Sequence, residues 1–204
     1  HCIGLIEARR PPKETAVKLK LIALILAAAG GAALAQTQGV SKNEILIGSG
    51  QDLSGPLAGY SKPLRNGMMM RVEEINDQGG INGRKLKLVV EDHGYDPKKA
   101  VLATQKMVQR DKIFAMVGTI GTAMNLASMP IQFEKNVPNL FPLTAAREMY
   151  EPLHKLKYSF AATYYDQMRS GIKHMVKTKG YKKVCTIYQD DDFGLEVVRG
   201  AEAG

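Results

Sequence analysis

The stretch Glu73-Glu74-Ile75-Asn76-Asp77-Gln78-Gly79-Gly80-Ile81-Asn82-Gly83-Arg84 narrows the folds open to this chain, because it ends one kind of element and begins another. Upstream of it, Leu64, Met68, Val72 and Ile75 recur at spacings of four, four and three, which predicts a helix over Ser61 to Gln78. Glycine enters left-handed backbone without the clash that a Cβ brings. Gly79-Gly80 therefore reads as the helix stop and Asn82-Gly83 as a tight turn. Leu86 to Glu91 then reads as a short apolar strand. A helix that turns straight back into a buried strand is part of a crossover unit.

The alternation continues along the chain. Glu44 to Gly50 reads as a first strand, and Asp96-Pro97 as an N-cap followed by proline at the first helical position. The helix they open runs to about Arg110, with Val101, Thr104, Met107 and Val108 inward. Further strands are expected at Ile113 to Gly118, Asn139 to Phe141, Lys157 to Ala161 and Lys183 to Tyr188. Helices are expected at Thr122 to Glu134 and at Asp166 to Lys179, the second capped by Asp166 and ended by Gly180. Residues from Gly194 onward read as an unfinished helix, and the chain as a fragment. Apolar strands joined by helical crossovers imply an α/β fold with a doubly wound parallel sheet. In such sheets ligands sit beyond the carboxyl ends of the strands.

The first residue is His, and no Met precedes Met68. Residues 17–35 read as a signal peptide: Lys18 and Lys20, an apolar run to Leu34, and the small-x-small Ala33-Leu34-Ala35 before Gln36. Translation is expected to start at Val17, leaving 1–16 as sequence upstream of it. The apolar run is about 14 residues, short of the ~20 that a spanning helix needs. Gln36 stands where a lipoprotein would carry Cys, so a soluble periplasmic product is expected. Residues 1–35 hold five basic and two acidic residues; 36–204 keep 23 and 18, net +5. Those charges are scattered, which argues against a nucleic-acid surface. Cys185 is the one cysteine after the leader, and its apolar run predicts a small buried hydrophobe.

Several chemistries are excluded by spacing. Gly48-Ser49-Gly50-Gln51-Asp52-Leu53 has Leu53 where a dinucleotide loop needs its third glycine, and Pro56 keeps the following chain extended. Gly118-Thr119-Ile120-Gly121-Thr122 lacks the lysine of a phosphate loop. Asp190-Asp191-Asp192-Phe193-Gly194 lacks the glycine and glutamate positions of a calcium loop. His93 among Glu91, Asp92 and Asp96 fits no metal spacing, and no nucleophile-base pair is apparent, so neither metal, cofactor nor catalysis is expected. Met68-Met69-Met70 reads as core filling.

Taken with Asp92 and Asp96-Pro97, the order Asn76-x-x-Gly79-Gly80-Ile81-x-Gly83-Arg84-x-Leu86 resembles the extracytoplasmic solute-binding proteins of ABC importers, in the leucine/isoleucine/valine-binding branch. Ser54-Gly55-Pro56-Leu57-Ala58 is similar to another element of that family, in which an aromatic a few residues on covers the ligand; Tyr60 matches it, or is simply a surface tyrosine. The resemblance implies a type I periplasmic binding fold with two hinged lobes, residues 36–161 forming the first and 162–204 the start of the second. Its carboxylate-binding loop falls on Gly121 and Thr122, where the alternative is a plain helix cap. Its Ser-Pro-small-Thr loop falls on Phe141-Pro142-Leu143-Thr144-Ala145, with Leu143 and Ala145 at the contact positions and the Thr144 hydroxyl displaced by one. Arg147 either pairs with an acidic ligand or is solvated. Tyr165 and Phe193 match the second side of the cleft. The implied function is binding of a small carboxylate-bearing solute, a branched-chain or related amino acid, and its delivery to the importer's membrane subunits. A ligand-sensing receptor domain of the same fold and a flavodoxin-like enzyme are the rival readings.

Overall fold

The computed structural model describes residues 37–204; the segment expected to be a leader, 17–35, and the stretch 1–16 lie outside the described residues. Five parallel strands form one sheet: β1 (Glu44–Gln51), β2 (Lys85–Asp92), β3 (Ala115–Val117), β4 (Asn139–Leu140) and β5 (Lys157–Tyr158), in the order β2-β1-β3-β4-β5. Helix α1 (Ala58–Asp77) joins β1 to β2, α2 (Pro97–Gln105) leads towards β3, and α3 (Thr122–Glu134) joins β3 to β4. Right-handed crossovers put α1 on one face of such a sheet and α2 with α3 on the other, because the strand order reverses at β1. This is the doubly wound arrangement expected, and its switch point lies between β1 and β3.

The α1–β2 corner shows how the opening motif acts. Asn76 hooks the start of β2 from the last turn of α1: its Oδ1 accepts the Leu86 N–H at 2.7 Å and its Nδ2 donates to the Leu86 carbonyl at 2.8 Å. Gly80 has φ +77°, and a Cβ there would lie 2.1 Å from the Arg84 carbonyl oxygen, so the close return of the chain needs glycine. At the next corner, the Asp96 carboxylate accepts the N–H groups of Lys98 and Lys99 and caps α2 as expected. The predicted helix does reach Arg110, but Lys106–Arg110 winds as a wider π-helical turn. That turn lets the consecutive Met107 and Val108 both point inward, where they join Ala103, Ile113, Met116 and Val137 in the main core.

Beyond β5 come α4 (Tyr164–Lys179) and α5 (Asp192–Glu202). Four expectations need correction here. The strand predicted at Lys183 to Tyr188 does not form, and Ile187 is fully exposed. A strand exists through its ladder, and among the described residues no strand lies beside this segment. Cys185, expected to be buried in that strand, is exposed for the same reason. The cap of α4 is Thr163, not Asp166: Thr163 Oγ1 accepts the Asp166 N–H at 3.0 Å and donates to the Asp166 carboxylate at 2.7 Å. Of the methionine triplet only Met68 turns inward, since successive helical residues point about 100° apart; Met69 and Met70 are exposed.

Candidate functional site

The loops at the carboxyl ends of β1 to β4 are held by buried hydrogen bonds rather than by apolar packing alone. Gln51 ends β1 and Asp52 follows it, and both are fully buried. Gln51 Nε2 donates to Ser49 Oγ at 2.8 Å and to the Gly118 carbonyl at 2.9 Å, tying the β1 and β3 loops together. The Asp52 carboxylate accepts the Gly55 and Leu57 N–H groups, each at 2.6 Å, and so curls the chain before α1. In α3, buried Asn125 donates to the Thr119 carbonyl at 2.9 Å and to the Gly121 carbonyl at 2.8 Å, and it accepts from Asn139 Nδ2 at 3.1 Å. Gly50 N–H donates to Thr119 Oγ1 at 3.1 Å. Bonds of this kind in a low-dielectric interior fix loop geometry tightly.

The β2 loop is ordered by His93 and Asp92. His93 is fully buried, and its Nδ1 accepts the Tyr95 N–H at 3.1 Å, which leaves the ring proton on Nε2. Burial lowers its pKa, against the opposing pull of Asp52 and Asp92. Burial pushes the Asp92 carboxyl upward, but hydrogen bonds from Ser54, Leu53 and Gly94, with the charge of His93, hold it below its ordinary value.

These loops surround a cavity of about 340 Å³. Leu57 and Tyr60 come from the β1 side, Tyr95 from the β2 loop, Ile120, Gly121 and Thr122 from the β3 loop, and Leu143 and Thr144 from the β4 loop. Tyr164 of α4, Gln189 and Phe193 of α5 supply the opposite wall. The β3 and β4 loops touch through paired backbone: Leu143 N–H donates to the Thr119 carbonyl at 2.9 Å and Gly121 N–H to the Leu143 carbonyl at 3.3 Å. That pairing brings Thr122 Oγ1 to 2.6 Å from Thr144 Oγ1, both residues being buried. No side chain caps α3, whose N-cap is Gly121 at φ +97°. The positive end of the α3 dipole therefore faces the hydroxyl pair. Tyr164 and Phe193 meet edge to face at 5.0 Å. Among the described residues lining the cavity there is no Asp, Glu, Lys, Arg or His.

Of the residues singled out from the sequence, Tyr60, Gly121, Thr122, Leu143, Thr144 and Phe193 line this cavity. Ala145 and Tyr165 do not. The Ala145 carbonyl accepts the Tyr164 N–H at 2.9 Å, and Tyr165 lies under the Arg147 guanidinium at 4.0 Å. Because α4 starts at Tyr164, that ring takes the cavity-facing direction and the next one turns away. Arg147 does not line the cavity: partly exposed, it pairs with Glu196 of α5, Nε to Oε1 at 2.8 Å and Nη2 to Oε2 at 3.2 Å. Its pKa is raised, first by that hydrogen bond. The sequence reading missed Leu57, Tyr95, Ile120, Tyr164 and Gln189 in the lining, and Gln51, Asn125 and Asn139 in the framework. A glutamine closing an apolar strand and an asparagine on the inward face of an apolar helix were the available signals.

A doubly wound sheet with an uncharged, aromatic-lined cavity at its switch point, closed on its far side by two later helices, has the architecture of a small-molecule binding domain. The family profile described as "Periplasmic binding protein" matches residues 44–204, and the chain belongs to that family. Among its relatives, an "Amino acid binding protein" from Pseudomonas aeruginosa is 27% identical over 153 residues, 74% of this chain and 40% of the relative. A "Leu/Ile/Val-binding protein" from Escherichia coli is 25% identical over 176 residues, 86% of this chain and 48% of the relative. The solved structure of a "Fatty acid ABC transporter substrate-binding protein" from Thermomonospora curvata superposes with a TM-score of 0.71 at 27% identity, covering 82% of this chain and 42% of its own. The chain thus spans less than half the length of these relatives.

Proposed function

We propose that this chain carries the carboxylate-gripping side of a periplasmic solute-binding protein, which takes a branched-chain or related amino acid and delivers it to an ABC importer. The observation that carries the reading is the Thr122–Thr144 hydroxyl pair at the uncapped start of α3, set in an otherwise aromatic and aliphatic cavity. Hydroxyls and free helix N–H groups are donors for an anion, and the apolar walls suit an alkyl or aryl body. Relatives named for amino acids and for a fatty acid support the carboxylate, the feature those ligands share. Residues 36–161 form the first lobe and 162–204 the beginning of a second that closes over the solute. A ligand that touches both sides only when they are closed stabilises the closed state by that difference. The reading of 17–35 as a leader accords with a periplasmic site of action, and the importer's membrane subunits are the partners.

The test is calorimetric titration of the full-length protein with L-leucine, L-isoleucine, L-valine and L-leucinamide. The acids bind and the amide binds much more weakly. Thr122→Ala weakens the acids by about 1–3 kcal/mol, the usual cost of losing a hydrogen bond to a charged group. Equal binding of L-leucine and its amide, or an unaltered affinity in Thr122→Ala, refutes the assigned grip.

A further inference from the structure

The cavity's most unusual wall is Tyr95. It holds φ +60°, a left-handed conformation that a bulky aromatic residue adopts only at a cost. Its surroundings enforce that conformation. The Tyr95 N–H is taken by Nδ1 of buried His93, the Gly94 N–H by Asp92 Oδ1 at 2.9 Å, and the Asp96 N–H by the His93 carbonyl at 3.0 Å. Asp96 is in turn fixed as the α2 cap. Five consecutive residues, Asp92 to Asp96, thus aim one ring into the cavity.

The ring packs against Gly121, the residue before Thr122: a Cβ there would lie 3.0 Å from Tyr95 Cε2 and 2.1 Å from Met124 Cε, so the two side chains together fill the space over that glycine. The Tyr95 phenol faces Gln189 on the opposite wall, whose amide is tethered to the α5 cap Asp191. A solute whose carboxyl group sits on Thr122 has to run its body past this ring. Tyr95 is one of the bulky side chains that bound that path, together with Ile120 and Leu143 of the β3 and β4 loops.

We propose that Tyr95 is the specificity-determining residue of the site, limiting the solute to carboxylates with a small or medium apolar body. This rests on the carboxylate reading given above. Tyr95→Gly keeps the left-handed backbone without strain and removes the ring, so it opens the cavity next to Gly121. Tyr95→Phe keeps the ring volume and removes only the contact with Gln189.

The experiment measures dissociation constants of L-valine, L-leucine and L-phenylalanine by calorimetry on the full-length protein, wild type and both variants. Tyr95→Gly is expected to move the phenylalanine-to-valine affinity ratio at least about tenfold towards phenylalanine, the scale on which a single methylene is discriminated in an apolar pocket. Tyr95→Phe is expected to leave that ratio within about threefold, well below the single-methylene scale. Tyr95→Asn, which also tolerates left-handed backbone, should follow the glycine variant and guards against a folding artefact. A purely structural role would lower the melting temperature and leave the ratio alone. An unchanged ratio in both small variants, with wild-type binding intact, overturns the proposal about Tyr95 only. Failure of the wild type to bind any of the three overturns the carboxylate reading, and this inference with it.

Discussion

The Arg147–Glu196 pair offers the sharpest energetic test, because its two members are buried so unequally. The Glu196 side chain is 1% exposed and that of Arg147 is 28% exposed. Glu196 accepts both guanidinium contacts and also the Arg147 backbone N–H at 3.4 Å. Replacing Arg147 with Met strands a carboxylate away from water, a loss of about 3–5 kcal/mol for one member of a buried pair. Replacing Glu196 with Gln leaves Arg147 with partial access to solvent and its stacking on Tyr165 at 4.0 Å. Solvent screening discounts that case to about 1–2 kcal/mol. Arg147→Met combined with Glu196→Leu should recover most of the loss, since an apolar pair of similar volume removes the desolvation cost altogether. Urea denaturation near pH 7 with linear extrapolation measures all three, and Glu196→Leu alone closes the thermodynamic cycle with Arg147→Met and the double variant. Equal losses in the two single variants, or a larger one in Glu196→Gln, would refute the reasoning that exposure sets the asymmetry.

Two further outcomes follow from named contacts. Burial lowers the His93 pKa in the folded state, so the unfolded chain takes up a proton first as pH falls. Stability present above about pH 6.5 is therefore lost through the window between that value and the lower folded one, and His93→Gln should flatten thermal-unfolding curves across it. Asp96→Ala removes the acceptor for two N–H groups at the start of α2 and should cost about 0.5–2 kcal/mol, read as a lower urea midpoint with an unchanged slope.

What could be read from the sequence follows the range over which each cause acts. The cap at Asp96, the stop at Gly180 (φ +69°) and the turn at Asn82-Gly83 act within a few residues, and the spacing of side chains revealed them. The α4 cap failed by a few residues because Thr163 and Asp166 are both good cap residues, and they form a reciprocal pair in which the threonine holds the first position. That small shift decided which tyrosine meets the cavity. The strand expected around Cys185 failed for the opposite reason: its apolar pattern is local, but the ladder that makes a strand is not. The placement of Tyr95 was hidden because it depends on a histidine two residues earlier being buried against β1 and β3, which no periodicity encodes.

The site's two sides differ in how firmly they are held. Thr122, Thr144 and Tyr95 stand on loops cross-linked by Gln51, Asn125, His93 and backbone pairing, all of it buried. Gln189 follows a stretch, residues 180–189, with no regular secondary structure, and reaches α5 through the Asp191 cap. A donor array fixed in advance does not lose conformational freedom when it meets a carboxylate, so the ordering cost of binding falls on the α4–α5 side. The hydroxyl pair sharpens this division. At 2.6 Å one threonine donates to the other, which leaves the accepting hydroxyl's own proton free for a ligand oxygen. Every carboxylate would meet that anchor in the same way, so it does not by itself tell one solute from another. Discrimination among carboxylates therefore has to come from the walls the body touches, and the bulkiest of those on the rigidly held loops, beside Ile120 and Leu143, is Tyr95.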